Sequence, residues 1–170
     1  MNSRMQPPPH VSPGGEYHGD RGFDAGRDDP YHAAGKYREP TRCGDCGLVF
    51  LHGRWTRGTA PAEAHAATCP ACHRVRDKLP AGTVSLEGPF VALHRKDLLD
   101  LIRHEAEQEG REHPLNRLME VRELAETVHI TTTDIHLPRR IGTALKRAYD
   151  GDLDVRFGDD EYAVRVRWHR

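Results

Sequence analysis

Three features of the sequence predict an α+β fold with a small four-cysteine module in front of it. The cysteines fall into two Cys-x-x-Cys pairs, Cys43/Cys46 and Cys69/Cys72. From about residue 83 the apolar pattern switches between a period of two and a period near 3.6. The first 38 residues are rich in Pro, Gly, Asp and His and have no apolar period, which predicts a disordered tail over 1–38. The cysteine module then occupies 39–82, and a small sheet with helices on one face occupies 83–170.

The cysteine spacing carries the chemistry. Two residues separate the members of each pair, and 22 residues separate the pairs. A Cys-x-x-Cys turn sets two thiolates on one side of a metal, and a second turn returned by a hairpin completes a tetrahedron of soft ligands at about 2.3 Å. Gly47, directly after Cys46, lets the first turn curl tightly; the second has His73 in that place. The competing readings are a redox dithiol, which needs only one such pair, and an iron–sulfur cluster, which also takes four thiolates. The ribbon spacing favours Zn2+ held by Cys43, Cys46, Cys69 and Cys72. Four cysteine ligands leave no open position, so no catalysis is expected at the metal. His52, His65 and His73 lie nearby as surface residues.

In the rest of the chain, Thr83–Glu87 alternates as a strand ended by Gly88-Pro89. His94–Glu112 reads as a helix on the spacing of Leu98, Leu101, Ile102 and Ala106, limited by Pro114. Leu115–Leu124 reads as a second helical piece. Val128, Ile130 and Thr132 alternate as a half-buried strand. Asp134 is placed to cap a helix that carries Leu137, Ile141, Leu145 and Ala148 on one face, with Pro138 in its first turn and Gly151 at its end. Leu153–Phe157 and Tyr162–Trp168 form a closing hairpin around Gly158-Asp159-Asp160.

Net charge is −1, which argues against a uniformly basic nucleic-acid binder, but the charge is unevenly placed. Residues 36–82 hold eight Lys or Arg against four acids, and four thiolates with Zn2+ leave that module at about +2. Arg54, Trp55, Arg57, Arg74 and Arg76 are therefore candidate RNA-binding residues, because arginine forks onto phosphate and tryptophan stacks on an unpaired base. The competing role for Trp55 and Phe50 is to cover the metal site. Arg165 and Arg167 on the outer face of the last strand are a second candidate RNA surface. Thr133, Asp134 and His136 form a candidate anion site at a helix start, with a plain helix cap as the alternative. The phosphate-cradling Gly-rich loop, Gly-x-Ser-x-Gly and His-Glu-x-x-His are not present, so an enzyme centred on Asp134 and His136 is the least favoured class. Neither a signal-peptide pattern nor a membrane span is seen, and a cytoplasmic protein is expected.

The run Cys43-Gly-Asp-Cys-Gly-Leu-Val-Phe-Leu-His-Gly-Arg-Trp55, followed by Cys69-Pro-Ala-Cys-His-Arg-Val-Arg76, resembles a bacterial family of four-cysteine zinc-ribbon proteins. The likeness extends through Glu112-His-Pro-Leu-Asn-Arg117 and Thr131-Thr-Thr-Asp-Ile-His-Leu137 to the C-terminal Arg-Trp-x-Arg. More distantly, the layout is similar to the N-terminal part of the large-ribosomal-subunit export adaptor of eukaryotes and archaea, which binds that subunit. The chain departs from it in length, in having one four-cysteine site rather than two, and in lacking the later domains. The resemblance implies a partner in RNA or the ribosome; the alternative is a module that docks another protein.

Overall fold

The computed structural model describes residues 29–31, 37–158 and 162–170. Most of the expected tail, and the tip of the closing hairpin at 159–161, lie outside the described residues.

The cysteine module is a four-stranded sheet in the order β3-β2-β1-β4, with one helix behind it. Its strands are β1 (Thr41–Cys43), β2 (Val49–Leu51), β3 (Arg54–Thr56) and β4 (His65–Ala67), followed by α1 (Pro70–Asp77). The β2–β3 hairpin turns through His52 and Gly53, both at positive φ, the twist that a two-residue turn between paired strands requires. The Glu39 carboxylate accepts both of their backbone N–H groups at 2.8 Å. Helix α1 starts at Pro70, whose fixed φ and missing N–H suit a first helical position. It stops where Lys78 enters the left-handed region and donates its N–H to the carbonyls of Arg74 and Val75.

The larger layer follows as β5 (Gly82–Glu87), α2 (Pro89–Leu93), α3 (Arg95–Glu112), β6 (Leu118–Glu123), β7 (Thr127–Thr132), α4 (His136–Tyr149), β8 (Asp152–Phe157) and β9 (Val164–His169). The five strands lie in the order β6-β7-β5-β9-β8. β5 is central, antiparallel to β7 and parallel to β9. Alternate residues of the three middle strands, Val84 and Leu86, Val128 and Ile130, Val164, Val166 and Trp168, are buried under Leu98 and Ile102 of α3 and Leu137, Ile141 and Leu145 of α4. The α+β expectation therefore holds, with helices on one face of the sheet. Trp168 is fully buried, and its Nε1 donates to the Asp150 carbonyl at 2.7 Å.

Three expectations are corrected. Leu115–Leu124 is not helical: Pro114 and Leu115 lie in a turn, and Leu118–Glu123 is the edge strand β6. The register of β6 against β7 slips between Leu118 and Glu120; the extra Met119 breaks the two-residue period and leaves apolar residues at a spacing that mimics a helix. Helix α3 begins one residue later than expected, after a separate short α2. Ala148 is exposed, and the buried face of α4 is Leu137, Pro138, Ile141, Gly142 and Leu145.

The two layers meet directly. Leu115 packs on the cluster of Cys43, Leu48, Phe50, Trp55 and Cys69, and Arg57 Nη2 donates to the Gly110 carbonyl at the end of α3.

Candidate metal centre and the exposed face of the sheet

Cys43 ends β1, and Cys46 follows in the turn, with Gly47 at φ +75° as the tight curl requires. Cys43 N–H donates to the Leu48 carbonyl at 2.7 Å, and Gly47 N–H to the Cys43 carbonyl at 3.0 Å. The second pair is presented differently from the expected hairpin. Cys69 is the N-cap of α1, and Cys72 lies in its first turn. There the backbone amides are free of helical partners and the helix dipole favours negative charge. His73, where a glycine stood in the first turn, is simply helical and donates to the Cys69 carbonyl. Cys69 N–H points at the Cys43 sulfur, at 3.3 Å.

All four sulfurs lie within 4.8 Å of one another, and Cys46 and Cys69 are 3.7 Å apart. A tetrahedral centre with bonds of about 2.3 Å has sulfur–sulfur edges of about 3.8 Å, whereas a disulfide would bring two sulfurs to about 2 Å. The donor set therefore fits a metal ion with a complete coordination shell. Electrostatics divide the thiols. Burial pushes Cys46 upward, but hydrogen bonds from Arg117 and the Leu48 backbone outweigh it and bring the group down to about 6. Burial pushes Cys72 up to about 11 and raises Cys69 further. Four adjacent thiols cannot all ionise without a cation among them, and binding a metal releases their protons.

Arg117, just before β6, was not singled out from the sequence as a site residue. Its guanidinium reaches two of the sulfurs, with Nη2 at 3.3 Å from Cys46 Sγ and Nη1 at 3.7 Å from Cys72 Sγ. The only sequence signal was its place in the segment Glu112–Arg117, which no periodicity ties to the cysteines.

The candidate RNA-binding residues separate into two groups. Trp55 and Arg74 are interior, 7% and 2% exposed. Trp55 packs against Tyr37 and Phe50, with ring centroids at 5.0 and 5.5 Å, and so covers the metal module. Arg74 donates to the Leu79 carbonyl, pairs with Asp29 and lies over the rings of Tyr31 and Tyr162. Neither presents itself to a nucleic acid. Arg54, Arg57, Arg76, Arg165 and Arg167 are exposed. Arg76 bonds Asp45 at 3.0 Å, and Arg167 bonds Glu87 at 2.7 Å.

At the candidate anion site, Asp134 fills the place an anion would take. Its Oδ2 accepts the N–H groups of His136 and Leu137 at 2.6 and 2.8 Å, which is the cap reading. Thr133 Oγ1 accepts from Arg117 N–H and donates to the Leu115 carbonyl. His136 is exposed on α4.

The face of the larger sheet away from the helices is polar. Two rows cross it by strand register: Glu120, Thr131, Thr83, Arg165 and Arg156, then Arg122, His129, Ser85, Arg167 and Asp154. Over the β6-β7-β5 part of it, Val75 and Lys78 at the end of α1 border Thr83, Arg122, His129 and Thr131, leaving an open cleft of about 600 Å³. Among the described residues no helix is long and apolar enough to cross a membrane. No family model, curated protein or solved structure matches the chain.

Proposed function

We propose that this chain is a non-catalytic zinc protein that binds RNA, with the RNA of the large ribosomal subunit as its first candidate, through the polar face of its larger sheet. Zinc is the metal that best suits four thiolates at tetrahedral spacing; when bound it supplies a structural crosslink and no open coordination position. The observation that carries the RNA reading is the row of arginines on that polar face. Arg122, Arg156, Arg165 and Arg167 stand on it at strand spacing, with Thr83, Ser85, Thr131 and His129 between them, and Lys78 borders the adjoining cleft. Guanidinium groups neutralise phosphates, and hydroxyls and imidazole can bond to ribose and base edges. Glu87, Glu120 and Asp154 on the same face offset part of this charge and hold arginines in place. The resemblance to a ribosomal-subunit adaptor supports the choice of RNA.

A second reading rests on Val75, which lines the cleft, and Leu79, just beyond α1, 48% and 50% exposed. Two exposed aliphatic residues suit a protein partner better than a phosphate backbone.

The test is RNA affinity across a salt series for the full chain and for the Arg165→Ala/Arg167→Ala double variant. The proposal expects weaker binding by the variant and a salt dependence shallower by about one to two phosphate contacts. Equal affinity and slope would remove this face from RNA binding. Capture of a partner that survives ribonuclease would favour the protein reading.

A further inference from the structure

Resting on the reading that the four cysteines hold a metal, we infer that Arg117 is a positioning residue for that centre and the clamp that joins it to the α+β layer. The guanidinium is aimed by its own loop. Nε donates to the Pro114 carbonyl at 2.6 Å, which turns the two terminal nitrogens toward Cys46 and Cys72, one ligand from each pair. A dication bound by four thiolates carries a net charge of −2. Arg117 is the arginine whose hydrogen bonds reach those sulfurs among the described residues, and it is half-buried. Hydrogen bonds to coordinating thiolates withdraw charge from sulfur and fix ligand orientation, as outer groups do at other metal centres.

The backbone of Arg117 is tied in turn to the start of α4. Arg117 N–H donates to Thr133 Oγ1 at 2.9 Å, and Thr133 N–H donates to the Arg117 carbonyl at 3.0 Å. The next residue, Asp134, caps α4. The sulfurs of Cys46 and Cys72, Arg117, Thr133 and the cap of α4 thus form one continuous chain of contacts across the boundary between the two layers. The short stretch Pro114–Arg117 serves the cysteine centre, although it lies more than forty residues beyond the last cysteine.

The full chain, loaded with one equivalent of zinc, is mixed with a chromophoric chelator and the rate of zinc transfer is followed. The variants are Arg117→Gln and Arg117→Lys, with Arg103→Gln as a control at an exposed arginine of α3 paired to Asp100. Arg117→Gln is expected to weaken retention by about 10- to 100-fold. Arg117→Lys, which keeps the charge but loses the fork, falls between it and the native chain; Arg103→Gln matches the native chain. In cobalt-loaded protein the sulfur-to-metal charge-transfer bands shift in Arg117→Gln, a signature that a purely packing role for the side chain would not produce. Native transfer rates and an unshifted cobalt spectrum in Arg117→Gln would overturn the inference. If that variant does not fold, native behaviour of Arg117→Lys overturns it. A native chain that takes up neither zinc nor cobalt would sink the metal reading itself, and the inference with it.

Discussion

Asp134 shows what one buried carboxylate does here. Burial raises its pKa, while the N–H groups of Leu137 and His136 pull the other way and lose; its Oδ1 has no hydrogen-bond partner among the described residues. Removing the cap with Asp134→Ala should cost about 1 to 2 kcal/mol in denaturant unfolding. The sign of the pH effect follows from the raised value. The folded protein keeps this proton to higher pH than the unfolded chain does, so the contribution is full below the unfolded carboxylate range, near pH 4, and is lost as pH rises through the folded value. The melting temperature of Asp134→Asn relative to the native chain should therefore climb from about pH 4 upward and then level off. A difference that is flat with pH would show that Asp134 ionises as freely in the folded protein as in the unfolded one. The cap was legible because an Asp carboxylate at a strand-to-helix junction can accept the free N–H groups of the first turn. The interior placement of Arg74 was not legible, and that of Trp55 was legible only as one of two competing roles: their fate depends on Asp29, Tyr31, Tyr37 and Tyr162, which meet them only in the folded chain.

At the scale of elements, the tightest approach is between β5 and the start of α4. A Cβ on Gly82 would lie 2.3 Å from Pro138 Cγ, 2.4 Å from Thr132 Oγ1 and 2.6 Å from the Asp134 carbonyl oxygen. The last is backbone and cannot rotate away. Gly82→Ala should destabilise the fold by about 1 to 3 kcal/mol; unchanged stability in a denaturant titration would mean that the strand and helix are less closely seated than described. Strands β5, β7, β8 and β9 and helices α3 and α4 could be read from their periods, because each buries one regular face. β6 could not, because a bulge at an edge strand gives the same apolar spacing as a helix turn. The parallel partnership of β5 with β9 was equally hidden. The two strands are nearly eighty residues apart, and only the closing of the sheet around Val84 and Val166 brings them together.

For the molecule as a whole, a metal held by the four clustered cysteines would explain why so small a front module can be ordered. Its sheet strands are three residues each, too short to hold together by backbone pairing alone. Its apolar cluster consists of a few side chains around two of the cysteines, with Tyr37, Cys72 and Leu115 leaning against them. Small modules of this kind depend on metal as a staple, and binding free energy becomes folding free energy. The clustering of the four cysteines was legible from spacing alone. Arg117 was not, because it arrives from the other layer. The measurement that tests this account most directly is the native mass and metal content of the full chain purified without added metal. The account predicts one zinc ion per chain, four thiols unreactive until a chelator is added, and no retained metal in Cys43→Ser. A native chain that is folded and metal-free, with four reactive thiols or a disulfide among them, would contradict it.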